Sequence, residues 1–329
     1  MVRVTRLVAA VVAIVGLLVG CSGDEGSEPP GDPVAASSAG SSGTAGGDDE
    51  NYQPTDEDRQ EIRALLRTRA NALERGDRHA FLATVEDVDA GGVPARLYTP
   101  AGAAPGLVVH LHGGGFVFHD VEVHDPLCRR LANRSGLRVL SVDYRCAPEH
   151  RFPAAPDDVD TALGWVATRP ELAGPLLLHG DSAGGNLALV AALRRPERVT
   201  ALALVYPFLD PTAGFGSYLT HADGFSPDEA AWYWDQYAAT PADRDDPDLA
   251  PLLSGRLGDL PPTLVVTAEH DPLRDEGEEL VLRLAEAGVR VAGFRCLGQI
   301  HGYYRHLDFD ATEPTMLAVA TYLRAAALA

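Results

Sequence analysis

The chain runs to 329 residues, 46% of them hydrophobic, enough for one large domain or two modest ones around a sizeable core. Its formal net charge is −20, and Arg supplies every basic side chain. That balance excludes a nucleic-acid partner, because phosphate binding needs clustered cations.

Residues 1–20 read as a targeting leader rather than as part of a fold. Arg3 and Arg6 precede an apolar run from Leu7 to Val19, shorter than the roughly 20 apolar residues a spanning helix needs. The run ends in Leu18-Val19-Gly20-Cys21, which resembles the lipobox of bacterial lipoproteins. The resemblance implies cleavage before Cys21 and a lipid on its thiol. The protein would then be extracytoplasmic, anchored to the outer face of the bacterial cell membrane. Residues 21–53 read as a disordered acidic linker: Ser22 to Glu50 is rich in Gly, Ser, Ala and Pro, with seven acidic residues and no basic one. Such a segment cannot bury enough apolar surface to order itself, and as a coil it reaches roughly 30 Å. Without Arg3 and Arg6 the net charge falls to −22, so anionic headgroups repel the body that the tether holds nearby.

Ile62, Leu65, Leu66, Ala70 and Leu73 recur at helical spacing and predict an N-terminal helical region over 54–86, packed beside a cap. The stretch from Ile62 to Leu82 also resembles the opening helices of cone-shaped α+β domains of the nuclear-transport-factor type, but nothing after Glu86 continues that pattern.

Over 87–329, strand-like and helix-like segments alternate. Apolar, β-branched runs fall at 106–111, 137–142, 175–179, 200–206, 263–268 and 289–294. Helical patterns lie at 126–135, 157–168, 185–194, 275–287 and 313–326. Short apolar strands between amphipathic helices indicate an α/β fold with a mostly parallel sheet covered by helices. An insertion at about 207–260 breaks the rhythm. Within it, 226–237 predicts an aromatic helix holding Trp232, Tyr233, Trp234 and Tyr237, opened by Ser226-Pro227-Asp228-Glu229. Long insertions in compact folds are usually functional, so this one reads as a helical cap over a substrate pocket.

Beyond Cys21 three cysteines remain, Cys128, Cys146 and Cys296. An odd number outside the cytoplasm allows at most one disulfide. Cys128 falls in a helical apolar pattern and reads as core; pairing of Cys146 with Cys296 stays open. No metal-type spacing joins these cysteines to a histidine.

Gly180-Asp181-Ser182-Ala183-Gly184 follows a predicted strand and opens a predicted helix. The pattern alone is weak, but this placement fits a tight strand-to-helix turn that projects Ser182 as a nucleophile. Flanking glycines let the backbone turn without side-chain clashes. His112-Gly113-Gly114-Gly115-Phe116 follows another strand. Acyl transfer builds charge on the former carbonyl oxygen, so donors must already point there; the N–H groups of Gly113, Gly114 and Ala183 are the candidates. A serine hydroxyl needs a base. In chain order Asp271 and His301 fit as acid and base, with Glu269 and Asp275 as rival acids and His270 and His306 as rival bases. Phe116, Trp232 and Trp234 are candidate substrate contacts, cap packing being the other reading of both tryptophans.

The glycine loop, Asp143-Tyr144-Arg145-Cys146-Ala147-Pro148-Glu149-His150, the segment Gly180 to Asn186, Asp271-Pro272-Leu273-Arg274-Asp275-Glu276 and His301-Gly302 together resemble the bacterial hormone-sensitive-lipase-like esterases over about 88–329. The resemblance implies an α/β-hydrolase fold with an eight-stranded, mostly parallel sheet and a helical cap. It implies Asp271 and His301 as partners of Ser182, an oxyanion hole after His112, and no metal or organic cofactor. Cys146 departs from a common Leu. The expected function is hydrolysis of short- to medium-chain carboxylic esters, small molecules, through an acyl-enzyme. The alternatives are an acyltransferase or specialised deacetylase, and a non-catalytic binding protein on this fold.

Overall fold

A computed structural model describes residues 82–220 and 225–329. The leader, Cys21, the acidic linker and most of the helical region expected over 54–86 lie outside these residues. The end of that region is corrected. Leu82–Asp89 is strand β1, and it pairs antiparallel with β2, Pro94–Pro100. The turn between them holds Gly91 and Gly92 at φ 80° and 95°, a conformation glycine adopts without strain. Asp87 stands opposite Arg96 in the register, and the two side chains form an ion pair at 2.6 Å.

The chain then alternates: β3 Leu107–Leu111, α1 Val121–Ser135, β4 Arg138–Val142, α2 Ala154–Val166, β5 Leu176–Asp181, α3 Ala183–Arg194 and β6 Val199–Val205. After the insertion come β7 Thr263–His270, α6 Arg274–Glu286, β8 Val291–Ile300 and α7 Thr312–Ala327, where α4 and α5 are reserved for Ser217–Thr220 and Pro227–Tyr237 inside the insertion. The sheet has eight strands in the order β1-β2-β4-β3-β5-β6-β7-β8. Only the β1–β2 and β2–β4 pairings are antiparallel. Every residue of β3 and β5 is buried, as expected for central parallel strands covered on both faces.

Pro126, read from sequence as a helix start, lies inside α1. The true start is capped by Asp120, whose carboxylate accepts from the N–H groups of Glu122 and Val123, and Gly136 closes the helix at φ 65°. Helix α5 begins with a reciprocal cap: Ser226 Oγ accepts from Glu229 N–H at 3.1 Å, and Glu229 Oε2 from Ser226 N–H at 2.8 Å. On one face of the sheet Leu131, Ala132, Val319 and Leu323 from α1 and α7 pack on Val108, Val139 and Leu177. Cys128, Cys146 and Cys296 are all free thiols, which settles the open disulfide question.

Candidate active site

Strands β3 and β5 run side by side with Leu111 opposite Gly180. The chain therefore leaves β3 into the glycine loop and β5 into Ser182 at neighbouring points on the carboxyl edge of the sheet. The sheet is built outward in both directions from this pair, the usual place for a ligand crevice in an open α/β fold. Farther along the same edge His270 stands opposite Ile300, so Asp271 and His301 leave their strands together.

Ser182 adopts φ 55° and ψ −123°, a strained conformation for a residue with a side chain. The surroundings impose it. Ser182 N–H donates to the Val205 carbonyl at 3.0 Å, and its own carbonyl accepts from Gly185 at 2.9 Å and Phe208 at 3.1 Å. A Cβ at Gly180 would lie 2.2 Å from the Gly184 oxygen, and one at Gly184 would lie 1.9 Å from the Leu111 oxygen. Both flanking glycines are thus required by close backbone approach.

His301 Nε2 lies 3.0 Å from Ser182 Oγ, and His301 Nδ1 lies 2.8 Å from Asp271 Oδ2. Asp271 is fully buried, and its other oxygen accepts from Leu273 N–H at 2.8 Å. The acceptor-only carboxylate fixes the proton on Nδ1 and leaves Nε2 free to receive the serine proton. The rival acids are turned elsewhere: Glu269 accepts from Gly298 N–H at 2.7 Å and Asp275 from Ser217 N–H at 2.8 Å. His270 faces Glu269 at 3.8 Å. The imidazole of His301 is held between the rings of Tyr206 and Phe225, with centroids at 4.6 and 5.0 Å.

The oxyanion assignment changes by one residue. Gly113 donates its N–H to Asp181 Oδ1 at 3.2 Å, so it is engaged and does not face a substrate. The N–H groups of Gly114, Gly115 and Ala183 meet no acceptor among the described residues. Gly114 and Gly115, at φ 125° and 60°, replace the expected pair Gly113 and Gly114. Behind the loop Tyr144 stacks on His112 at 4.1 Å and donates its hydroxyl to the His112 carbonyl at 2.6 Å. Arg145 pairs with Asp158 on α2 at 2.7 Å.

Two expected substrate contacts are corrected. Phe116 and Trp234 are fully buried. Phe116 stacks on Tyr237 at 3.9 Å, and Trp234 packs on Phe208 at 4.3 Å. Both hold the cap helix to the body, Trp234 because the buried stripe of α5 turns it inward and Phe116 from the glycine loop beneath. Trp232, half-buried, stacks near Phe118 at 6.1 Å at the cap surface. The cap residues that reach the site are ones the sequence did not single out for it, Phe225 against His301 and Tyr233 against Gly115. Glu276 was also missed as an anchor: fully buried, it accepts from Leu209 N–H at 2.7 Å and from the Tyr218 hydroxyl at 3.1 Å, tying down the base of the cap.

Beneath the site lies a chain of buried histidines. His124 Nε2 is buried and meets no partner among the described residues, which places its proton on Nδ1, the tautomer that leaves no donor unpaired. From there each proton has an acceptor: His124 to His110 at 3.0 Å, His110 to His179 at 2.8 Å, His179 to the Tyr304 oxygen at 3.4 Å, and Tyr304 to Met316 Sδ at 3.4 Å. Burial pushes the pKa of His110 and His124 well below the usual imidazole range, and that of His179 down to about 3. His110, His124 and Asp181 bring ligand atoms within 4.8 Å of one another. The facing nitrogens of the two histidines, however, already share a proton.

Residues 108–305 match the alpha/beta hydrolase fold family. The chain is 36% identical to the ethyl acetate hydrolase of Pseudomonas putida over 232 residues, covering 66% of this chain and 73% of that protein. It is 33% identical to the arylesterase of Saccharolobus solfataricus over 256 residues, 74% of this chain and 83% of that one. Among solved structures, an esterase of Pyrobaculum calidifontis superimposes with a TM-score of 0.78 at 37% identity, covering 85% of this chain and 97% of that chain. With that match spanning the glycine loop, the elbow and both triad partners, the chain belongs to the α/β-hydrolase family of hormone-sensitive-lipase-like esterases.

Proposed function

We propose that this chain is a serine carboxylesterase acting on short- to medium-chain esters, carried outside the cytoplasm as a lipoprotein. The observation that carries the catalytic reading is the unbroken hydrogen-bonded line Ser182–His301–Asp271, at 3.0 and 2.8 Å. A non-catalytic protein has no need to hold a serine in a strained conformation against a base.

Ser182 Oγ attacks the ester carbonyl carbon while its proton passes to His301 Nε2. Asp271 holds the resulting imidazolium through Nδ1–H. The carbonyl oxygen becomes an oxyanion, met by the N–H groups of Gly114, Gly115 and Ala183, the last at the start of α3 where the helix dipole also favours negative charge. Collapse breaks the bond to the alcohol oxygen, which takes the proton from Nε2 and leaves. A water molecule then loses a proton to Nε2 and attacks the acyl carbon. Breakdown of that second intermediate returns the proton to Ser182 and releases the carboxylic acid.

The aromatic wall supports small acyl groups. Phe225 covers His301, and Tyr233 stands directly on Gly115. The lipoprotein reading rests on Cys21 and the acidic segment after it.

The test is turnover of p-nitrophenyl acetate, butyrate and a long-chain ester by the soluble form starting near Glu50, beside Ser182→Ala. Activity lost in the variant and concentrated on the shorter esters is the expected result. Equal turnover by the variant overturns the mechanism. Unchanged membrane retention of Cys21→Ala overturns the anchor.

A further inference from the structure

We propose that Arg305 is a positioning residue that aims the oxyanion loop, by gripping two of the three side chains that hold the Gly113 peptide groups. The inference rests on the esterase reading above and names a residue that neither the triad nor the oxyanion hole contains.

Gly113 is held on both sides. Its N–H donates to Asp181 Oδ1 at 3.2 Å, and its carbonyl accepts from His119 Nδ1 at 3.1 Å and from His112 Nδ1 at 2.9 Å. The Gly113 carbonyl and the Gly114 N–H belong to one planar peptide unit and point in opposite directions. Fixing the carbonyl therefore fixes where the first oxyanion donor points.

The two outer holders, Asp181 and His119, meet the same guanidinium. Arg305 Nε lies 3.7 Å from Asp181 Oδ2, and Arg305 Nη1 lies 3.4 Å from each ring nitrogen of His119. Arg305 sits at the end of the short 3-10 turn Tyr303–Arg305 that follows His301. One side chain thus touches the flank of the elbow and the oxyanion loop, and grows from the loop of the base. Its side chain is only 20% exposed, so these contacts are weakly screened.

The charge state of each partner suits the role. His119 must be neutral with its proton on Nδ1 to donate to Gly113; burial, then the Arg305 charge, push its pKa well below the usual range. The guanidinium Nη1 lies against this neutral ring, 3.4 Å from both of its nitrogens. Burial raises the Asp181 carboxyl to about 6, and Arg305 is the strongest influence acting against that rise, followed by the Gly113 N–H and His301. The other titratable groups at the cluster are His124, whose Nδ1 lies 3.6 Å from Asp181 Oδ1, and His110, His112 and His306 around it. Arg305 is the permanent cation among them.

The experiment compares wild type with Arg305→Met, Arg305→Lys, Asp181→Asn and the double variant Arg305→Met/Asp181→Asn. Steady-state turnover of p-nitrophenyl acetate is followed from about pH 5 to about pH 9, with thermal midpoints for every protein. The Asp181 carboxyl is titrated by carbon NMR. Arg305→Met is expected to lose about 10- to 100-fold in kcat with KM within about twofold, as for a misplaced oxyanion donor. Its acid limb moves to higher pH, and the Asp181 titration moves up with it. Arg305→Lys recovers part of kcat. In the Asp181→Asn background the Arg305→Met change costs less than in the wild type, only the grip on His119 remaining to be lost, and shifts no limb. Unchanged kcat and limb in Arg305→Met, or losses that multiply in the double variant, overturn the inference. An inactive wild type sinks the esterase reading instead, and the carboxyl titration then still decides the role of Arg305. Should Arg305→Met not fold, Arg305→Gln serves for the same titration.

Discussion

The ring of Tyr233 fills the space into which a side chain at Gly115 would grow: a Cβ on that glycine would lie 2.1 Å from Tyr233 Cδ1. The cap therefore rests on an oxyanion donor and walls the site on that side. Tyr233→Ala removes the wall without touching Ser182, His301 or Asp271. The ratio of kcat/KM for p-nitrophenyl octanoate to that for the acetate should rise about tenfold, the effect of a few methylenes finding room in an apolar pocket. An unchanged ratio would place the acyl chain elsewhere.

Ser182 stores backbone strain. Its φ of 55° and ψ of −123° cost about 1–3 kcal/mol for a residue with a Cβ. Glycine adopts such angles freely but loses more entropy on folding, by roughly 0.5–1 kcal/mol. Ser182→Gly should therefore be inactive yet about 1 kcal/mol more stable than Ser182→Ala, which keeps the strain. Urea unfolding of the two variants reads the difference; a less stable glycine variant would mean the elbow is relaxed.

Asp271 is the only acidic residue of its segment whose oxygen meets His301, at 2.8 Å. Asp271→Asn should cost about four orders of magnitude in kcat, because an amide no longer enforces the Nδ1–H tautomer. Glu269→Gln and Asp275→Asn should stay within about threefold, since their carboxylates bind backbone N–H groups away from the imidazole. The outcome that refutes the assignment is a large loss in Glu269→Gln with Asp271→Asn active.

Much of this site was legible because its requirements are local. The elbow needs small residues at 180 and 184, and the strands that carry Ser182, Asp271 and His301 advertise themselves as apolar runs. What the sequence hid depends on register and on side-chain direction. Gly113 and Gly115 are alike in sequence, and only the reach of Asp181, delivered by β5 beside β3, separates the engaged amide from the two that face the substrate. The stripe of α5 offers Trp232, Tyr233, Trp234 and Tyr237 in nearly consecutive positions, and the helix rotation that buries Trp234 and aims Tyr233 is set by Phe116 and Phe208. β1 was lost because Leu82–Asp89 lies on an edge with mixed polarity, whose signal is the Gly91-Gly92 turn rather than an apolar run. Arg305 and Glu276 act through partners far away in sequence, so nothing near them announces a role.

The histidines beneath the site set how the fold responds to acid. His110, His119, His124 and His179 are kept neutral chiefly by burial, with pKa values pushed below the ordinary 6.5. A group whose pKa is depressed in the folded state contributes stability that is present above 6.5 and lost as pH falls, in the case of His179 down to about 3. Each such histidine adds a slope of about 1.4 kcal/mol per pH unit within its window. Asp181 acts in the opposite sense: raised from 3.8 to about 6, it contributes stability at low pH that is lost as pH rises through about 6. The histidines outnumber it, so unfolding free energy should fall steadily on acidification from about pH 6.5. His179→Asn tests one link. Its amide oxygen can still accept the proton of His110, but the donor to Tyr304 is lost, at a cost of about 1–3 kcal/mol near pH 8. Because one titrating group is gone, the slope between about pH 6.5 and pH 5 should be shallower by about 1.4 kcal/mol per unit, and the deficit should shrink as pH falls. Denaturant unfolding at a series of pH values reads both quantities. A slope equal to that of the wild type would mean that His179 is charged in the folded protein and donates from both ring nitrogens, so that the proton between His110 and His179 runs the other way.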